Sequence, residues 1–213
     1  MTQYAPRDFY GGAIKGLIPQ SWVDASDVRE VPDHQEVFLS PTTLTSQIVE
    51  INQRVSPEET TSLSHLLPST STPDEAAALY HIHDICDEDD KLEIVTGPMS
   101  VSMGKFLASG ISAYRGVVRV TSPKKQGRGT GVAGAAVAGS SAEGLLTSTV
   151  SLHYLLVRLG EQETDLVVFV NVPHEEFEKA GDLGGLEGEE GLAGGLIGGL
   201  VEVLEVVDWG LFA

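Results

Sequence analysis

The chain has 213 residues, 41% of them apolar, and a formal net charge of −18 from 13 basic and 31 acidic side chains. That length and apolar fraction suffice for one domain with its own core, while the charge argues against nucleic-acid binding, which needs clustered Lys and Arg, and favours a basic protein partner. A single cysteine, Cys86, excludes an internal disulfide and fits a reducing compartment.

The charge is uneven: residues 1–40 carry 3 basic and 6 acidic side chains, residues 41–160 carry 9 and 12, and residues 161–213 carry 1 and 13. No basic region followed by an apolar run opens the chain, and no stretch approaches eighteen consecutive apolar residues, so a soluble, monomeric intracellular protein that does not enter a membrane is expected.

The first strand is expected near Ala13–Leu17, after the small apolar segment Phe9-Tyr10-Gly11-Gly12. An acid then stands at every third position: Asp24, Asp27, Glu30, Asp33 and Glu36. Five carboxylates so spaced drift around a helix, and Pro32 ends one in any case. Asp24-Ala25-Ser26 therefore reads as a capped helical turn, Pro32-Asp33 as turn chemistry, and Gln35–Leu39 as a strand with alternating faces. The result is an acidic ridge beside a sheet edge, suited to a basic partner.

Further strands are expected at Gln47–Gln53, Leu92–Thr96, Ile111–Thr121, Ser148–Leu159 and Asp165–Val172, the last two joined as a hairpin by Gly160-Glu161-Gln162-Glu163. Sequential hairpins imply a mainly antiparallel sheet. Helices should begin at Ser56-Pro57-Glu58-Glu59 and Thr72-Pro73-Asp74-Glu75, the second burying Ala78, Ile82 and Ile85. A third is marked by the stripe Leu192, Leu196, Leu200, Val203 and Val207, although its five glycines weaken it and leave its stability to docking. Residues 62–72, 127–144 and 181–191 read as flexible insertions in a single domain.

Several stretches imitate catalytic or ligand motifs. Gly129-x-Gly131-x-x-Gly134 satisfies a dinucleotide fingerprint in form, but Gly139-Ser140-Ser141 interrupts any following helix, and Glu143 comes too early and Glu161 too late for the ribose acid. It reads as a low-complexity loop. Gly104-Lys105 lacks the rest of a phosphate-binding loop. His81 and His83 point about 200° apart on a helix and would not share a metal; His83 with Asp87 could, against a plainer reading as a solvated helix end. Ser151 and His153 share a strand face without a nucleophile elbow. No cofactor, metal or catalytic residue is assigned, and an enzyme is the least favoured class.

The wording of the ridge resembles a known family. Tyr10-Gly11-Gly12-Ala13-Ile14, Ile18-Pro19 and the run Val23–Phe38 are similar to the opening of the Mog family, the Ran guanine nucleotide release factors, with weaker support from Leu155–Leu159, Glu163–Val168 and Val206-Val207-Asp208. The resemblance implies a Mog/PsbP-like α+β domain with a mainly antiparallel sheet of about six strands flanked by helices. It implies binding of the small GTPase Ran, release of its guanine nucleotide without covalent chemistry, and residence in nucleus and cytoplasm. Asp33 and Glu36 match the family's acidic Pro-Asp-x-Gln-Glu motif; Asp24, Asp27, Arg29 and Glu30 fall in the same block. The alternative is a noncatalytic acidic adaptor for another basic partner.

Overall fold

The two most apolar runs of the chain settle the architecture, because each is too hydrophobic to leave either face in water. In a computed structural model, which describes residues 4–63, 72–106, 110–124 and 147–212, they form the hairpin of β8 (Thr147–Leu159) and β9 (Thr164–Pro173). Alternate residues serve opposite cores. Leu155, Val157, Leu166, Val168 and Val170 face one cluster, and Tyr154, Leu156, Val167 and Phe169 face the other. A sheet buried on both sides must be covered twice.

The remaining strands extend this hairpin outward. These are β3 (Val23–Asp24), β4 (Gln35–Leu39), β5 (Ser46–Gln53), β6 (Lys91–Val101) and β7 (Ile111–Pro123), and they give the order β3-β4-β5-β9-β8-β7-β6, antiparallel throughout. The sheet thus has seven strands where about six were expected. A second, three-stranded sheet combines β1 (Tyr4–Phe9), β2 (Ile14–Pro19) and β10 (Glu205–Val206). Together with α4 (Leu183–Val203) it covers one face, and α2 (Pro73–Asp84), preceded by the single turn α1 (Pro57–Thr60), covers the other. Both α1 and α2 open with the expected cap and proline, each completed by a reciprocal capping box, Ser56 with Glu59 and Thr72 with Glu75.

The α2 layer is fastened by a buried ion network. Arg158 on β8, 2% exposed, donates from Nε to Asp165 Oδ1 on β9 at 3.0 Å and from a terminal nitrogen to Asp74 Oδ1 on α2 at 2.6 Å. Its other terminal nitrogen donates to the Val55 carbonyl. Asp165, fully buried, also accepts the Val55 amide and shares a hydrogen bond with His81 Nε2, each at 3.0 Å. Removing one partner of such a network leaves an uncompensated buried charge.

Three sequence expectations are corrected here. Ile85 lies past the end of α2 and is 55% exposed, so only Ala78 and Ile82 of the expected trio are buried. Gly181 to Gly191, read as a flexible link, is helical from Leu183, where Asp182 caps the Gly185 amide at 2.8 Å. The buried line of α4 is Ala193, Leu196, Ile197, Leu200 and Val201, whereas Val203 and Val207 are exposed, because the chain leaves the helix after Val203 to pair Val206 with Ile14. Elements β1, β3, β10 and α3 (Glu175–Ala180) were not anticipated. Residues 127–144 lie outside the described residues, as do residues 64–71 of the 62–72 segment.

The glycines of α4 separate into two kinds. A methyl at Gly195 would sit 2.6 Å from the Tyr4 hydroxyl, which donates to the Leu192 carbonyl, whereas Gly188 and Gly191 have open space around them. Gly188→Ala and Gly191→Ala should therefore each stabilise the protein by about 0.5–1 kcal/mol. Gly195→Ala should gain nothing comparable, and urea-unfolding midpoints of the three variants will show whether the division holds.

Candidate functional site: an acidic loop at the sheet edge

The acids of residues 24–36 fall on the short edge strand β3, a 3-10 turn at Ala25–Asp27, a loop, and β4. The structure divides them by what they already hold. Asp24 ends β3 and caps the turn, accepting the Ser26 amide at 3.0 Å and the Ser26 hydroxyl at 2.7 Å, and it binds the Arg7 guanidinium at 2.6 Å. Burial would raise its carboxyl, but the Ser26 hydrogen bonds and Arg7 outweigh it and hold the group below its ordinary value. Arg7 also lies over the Phe38 ring, 5.2 Å from its centre.

Glu36, on β4, reaches back to the first connection of the chain and accepts the Tyr10 amide at 2.5 Å. Tyr10, Gly11 and Gly12 all have positive φ (50°, 66° and 97°), a path that glycine tolerates and tyrosine does not favour. The strain at Tyr10 is offset by this carboxylate and by the Tyr10 hydroxyl, which lies 2.9 Å from the His34 carbonyl and 2.8 Å from that of Val49. Half-burial raises the Glu36 carboxyl, with Asp24 adding to the rise while the Tyr10 amide and Arg7 oppose it. The expected one-sided alternation is absent: Val37 and Phe38 point to opposite faces and both are buried, Phe38 against Phe9 with ring centres 5.6 Å apart.

The other charges of the loop are uncommitted. Asp27, Arg29, Glu30 and Asp33 are all exposed, and among the described residues none has a side-chain hydrogen bond or ion pair. Of the six residues marked by the sequence, Asp24 and Glu36 are thus drawn into a scaffold with Arg7 and Tyr10, while these four are displayed by it. Arg7 and Tyr10 were missed by sequence reasoning. The double glycine after Tyr10 signals a left-handed turn, but nothing in the sequence aligns Arg7 with Asp24 before β1 is placed.

The Ser151 and His153 pair of the sequence lies in a second polar cluster. Ser151 and His153 are both buried, at 1% and 7% exposure, but Ser151 engages His174 Nε2 (2.9 Å) and not His153. His174 Nε2 is also 3.2 Å from Glu190 Oε1, and His153 Nε2 is 2.5 Å from Glu190 Oε2. A nucleophile relay needs serine and acid on opposite ring nitrogens; here both meet the same one. The cluster fastens α4 to the sheet instead. Near the metal-like stretch, His81 turns inward to Asp165, His83 is exposed, and the Cys86 thiol is pushed up to about 11 by burial and by Asp90 and Asp87.

Comparisons with known proteins converge on one family. The sequence model described as "Ran-interacting Mog1 protein" matches residues 7–173, which include the whole acidic loop. The chain is 30% identical over 169 residues to the Ran guanine nucleotide release factor of Homo sapiens, covering 77% of this chain and 73% of that one. It is 27% identical over 172 residues to the nuclear import protein mog1 of Schizosaccharomyces pombe, covering 77% and 74%. The fold matches that of the Saccharomyces cerevisiae Ran-binding protein Mog1p with a TM-score of 0.60, at 21% identity and with both chains covered completely.

Burial would raise Glu190, but hydrogen bonds from His153, Ser151 and His174 bring it down to about 2 from an ordinary 4.5. A carboxyl depressed by folding adds stability that is present above its unfolded value and lost as pH falls through its folded one. The stability difference between wild type and Glu190→Gln should therefore be full above pH 4.5 and shrink toward pH 2. A difference independent of pH across that window, in unfolding titrations, would contradict the role of ionised Glu190 in fastening α4 to the sheet.

Proposed function

We propose, because this chain belongs to the Ran-interacting Mog1 protein family, that it binds the small GTPase Ran and promotes release of its guanine nucleotide in support of nuclear protein import. The observation that carries the reading is the loop of uncommitted charges, Asp27, Arg29, Glu30 and Asp33, held in place by carboxylates that are themselves engaged. Acids without internal partners give up only hydration and side-chain freedom on meeting a basic surface. Charges already paired would have to be pulled away first.

In this reading Asp33 meets the partner directly with Asp27, Arg29 and Glu30. Glu36 contributes its second carboxylate oxygen, which has no hydrogen-bond partner among the described residues, while its first fixes the Tyr10 turn. Asp24 keeps the loop oriented through Arg7. Acids at this edge speed encounter with a basic surface and then favour a Ran conformation that grips its nucleotide poorly. Linkage fixes the size of the effect: if nucleotide-free Ran is held more tightly by some factor, nucleotide affinity falls by the same factor in the complex. No covalent step is involved. The protein acts as a monomer in nucleus and cytoplasm, engaging neither nucleic acid nor membrane.

Release of a fluorescent guanine nucleotide from purified Ran, with and without this protein, tests the proposal. Wild type should accelerate release, and association should slow as ionic strength rises. Asp33→Ala should weaken binding by ~0.5–1 kcal/mol, chiefly by slowing association, without lowering the melting temperature, since the side chain is exposed and unpaired, and Asp33→Ala/Glu36→Ala should weaken it further and reduce the acceleration. Unchanged affinity in these variants would remove the role given to the pair. Binding without release would leave a noncatalytic acidic adaptor.

A further inference from the structure

Exposed carboxylates explain how a partner is steered to this edge but not what holds it there. Charged groups in full solvent gain little on pairing, and their main effect is on the rate of encounter. Long residence comes from a small number of side chains that become fully desolvated inside a polar rim. Among residues 25–34 one large apolar side chain is exposed: Val28, at 68%.

Its position is fixed before any partner arrives. Asp24 caps the 3-10 turn, Ala25 is fully buried beneath it, and the amides of Val28 and Arg29 both donate to the Ala25 carbonyl, at 3.0 and 2.9 Å. Val28 is thus the residue that closes the turn, with φ −125° and ψ −20°. A β-branched side chain on a hydrogen-bonded turn has little freedom left to lose on binding. Asp27 precedes it, Arg29 and Glu30 follow it, and all three side chains are exposed and uncommitted.

We infer that Val28 is the apolar anchor of the docking loop, seated against an apolar spot within a basic patch on Ran, with Asp27, Glu30 and Asp33 as the acidic rim that excludes water from it. The inference rests on the function proposed above and adds the feature that sets dissociation. It requires a partner surface that is basic at its border and apolar at its centre, which a uniformly basic patch is not.

The test compares association and dissociation rates on immobilised Ran for wild type, Val28→Ser, Val28→Leu and Leu183→Ser. Leu183 is the control because it is equally exposed, at 68%, but opens α4 and lies outside residues 7–173. Val28→Ser should dissociate about tenfold faster, with association and its salt dependence changed by less than about twofold. Val28→Leu should keep slow dissociation, and Leu183→Ser should match wild type. If Val28→Ser dissociates at the wild-type rate, or if Leu183→Ser is equally impaired, the anchor is wrong while Ran binding stands. If wild type does not bind Ran, the proposed function fails and the anchor with it.

Discussion

The structure depends on a hairpin that is apolar on both faces. Once β8 and β9 pair, alternate side chains from Tyr154 to Leu159 and from Leu166 to Val172 demand cover above and below the sheet. Hydrophobic burial supplies the attraction but not the placement, because it is non-directional. Placement comes from two polar fasteners at the faces of that hairpin. Arg158 and Asp165 hold α2 through Asp74 and His81, and His153 with His174 holds α4 through Glu190.

This arrangement places the candidate site. With both faces of the central strands covered, their backbone and side chains are closed to a partner, and what remains open of the sheet itself lies at its edges. The β3 edge is only two residues long, and strands that short offer little template for unwanted pairing. Beyond it the chain is built as a bracket: Arg7 from the three-stranded sheet holds Asp24, and Glu36 from the large sheet holds Tyr10. Each sheet thus fixes one end of the acidic loop. The strained Tyr10-Gly11-Gly12 path is the local expense of joining them.

Much of this was legible in the sequence where the signal is local. The capping boxes at Ser56 and Thr72, the hairpin at Gly160–Glu163 and the long β-branched runs each carry their own instructions, and they appear where expected. The elements that escaped notice are made by tertiary contact. Tyr4–Phe9, with Pro6 in its middle, becomes a strand only against β2, and Glu205-Val206 only against the same strand. Helix α4 was misread at its start because its glycines lower intrinsic propensity, whereas Asp182 and the packing of Ala193 through Val201 outweigh them. In the acidic loop the sequence marked all six charged positions, but it could not separate the acids that build the loop from those the loop displays. That distinction depends on Arg7 and Tyr10, which are distant in the chain, and Val28 passed as an ordinary valine.

The central claim is that one preformed loop, and not a covered face, meets the partner. Backbone amide exchange of this protein, measured alone and in the presence of excess Ran, tests it most directly. New protection is expected at residues 25–36, with the amides of β8, β9 and α4 unchanged. Protection concentrated on α4 or along the β6 edge, with residues 25–36 exchanging as in the free protein, would contradict it.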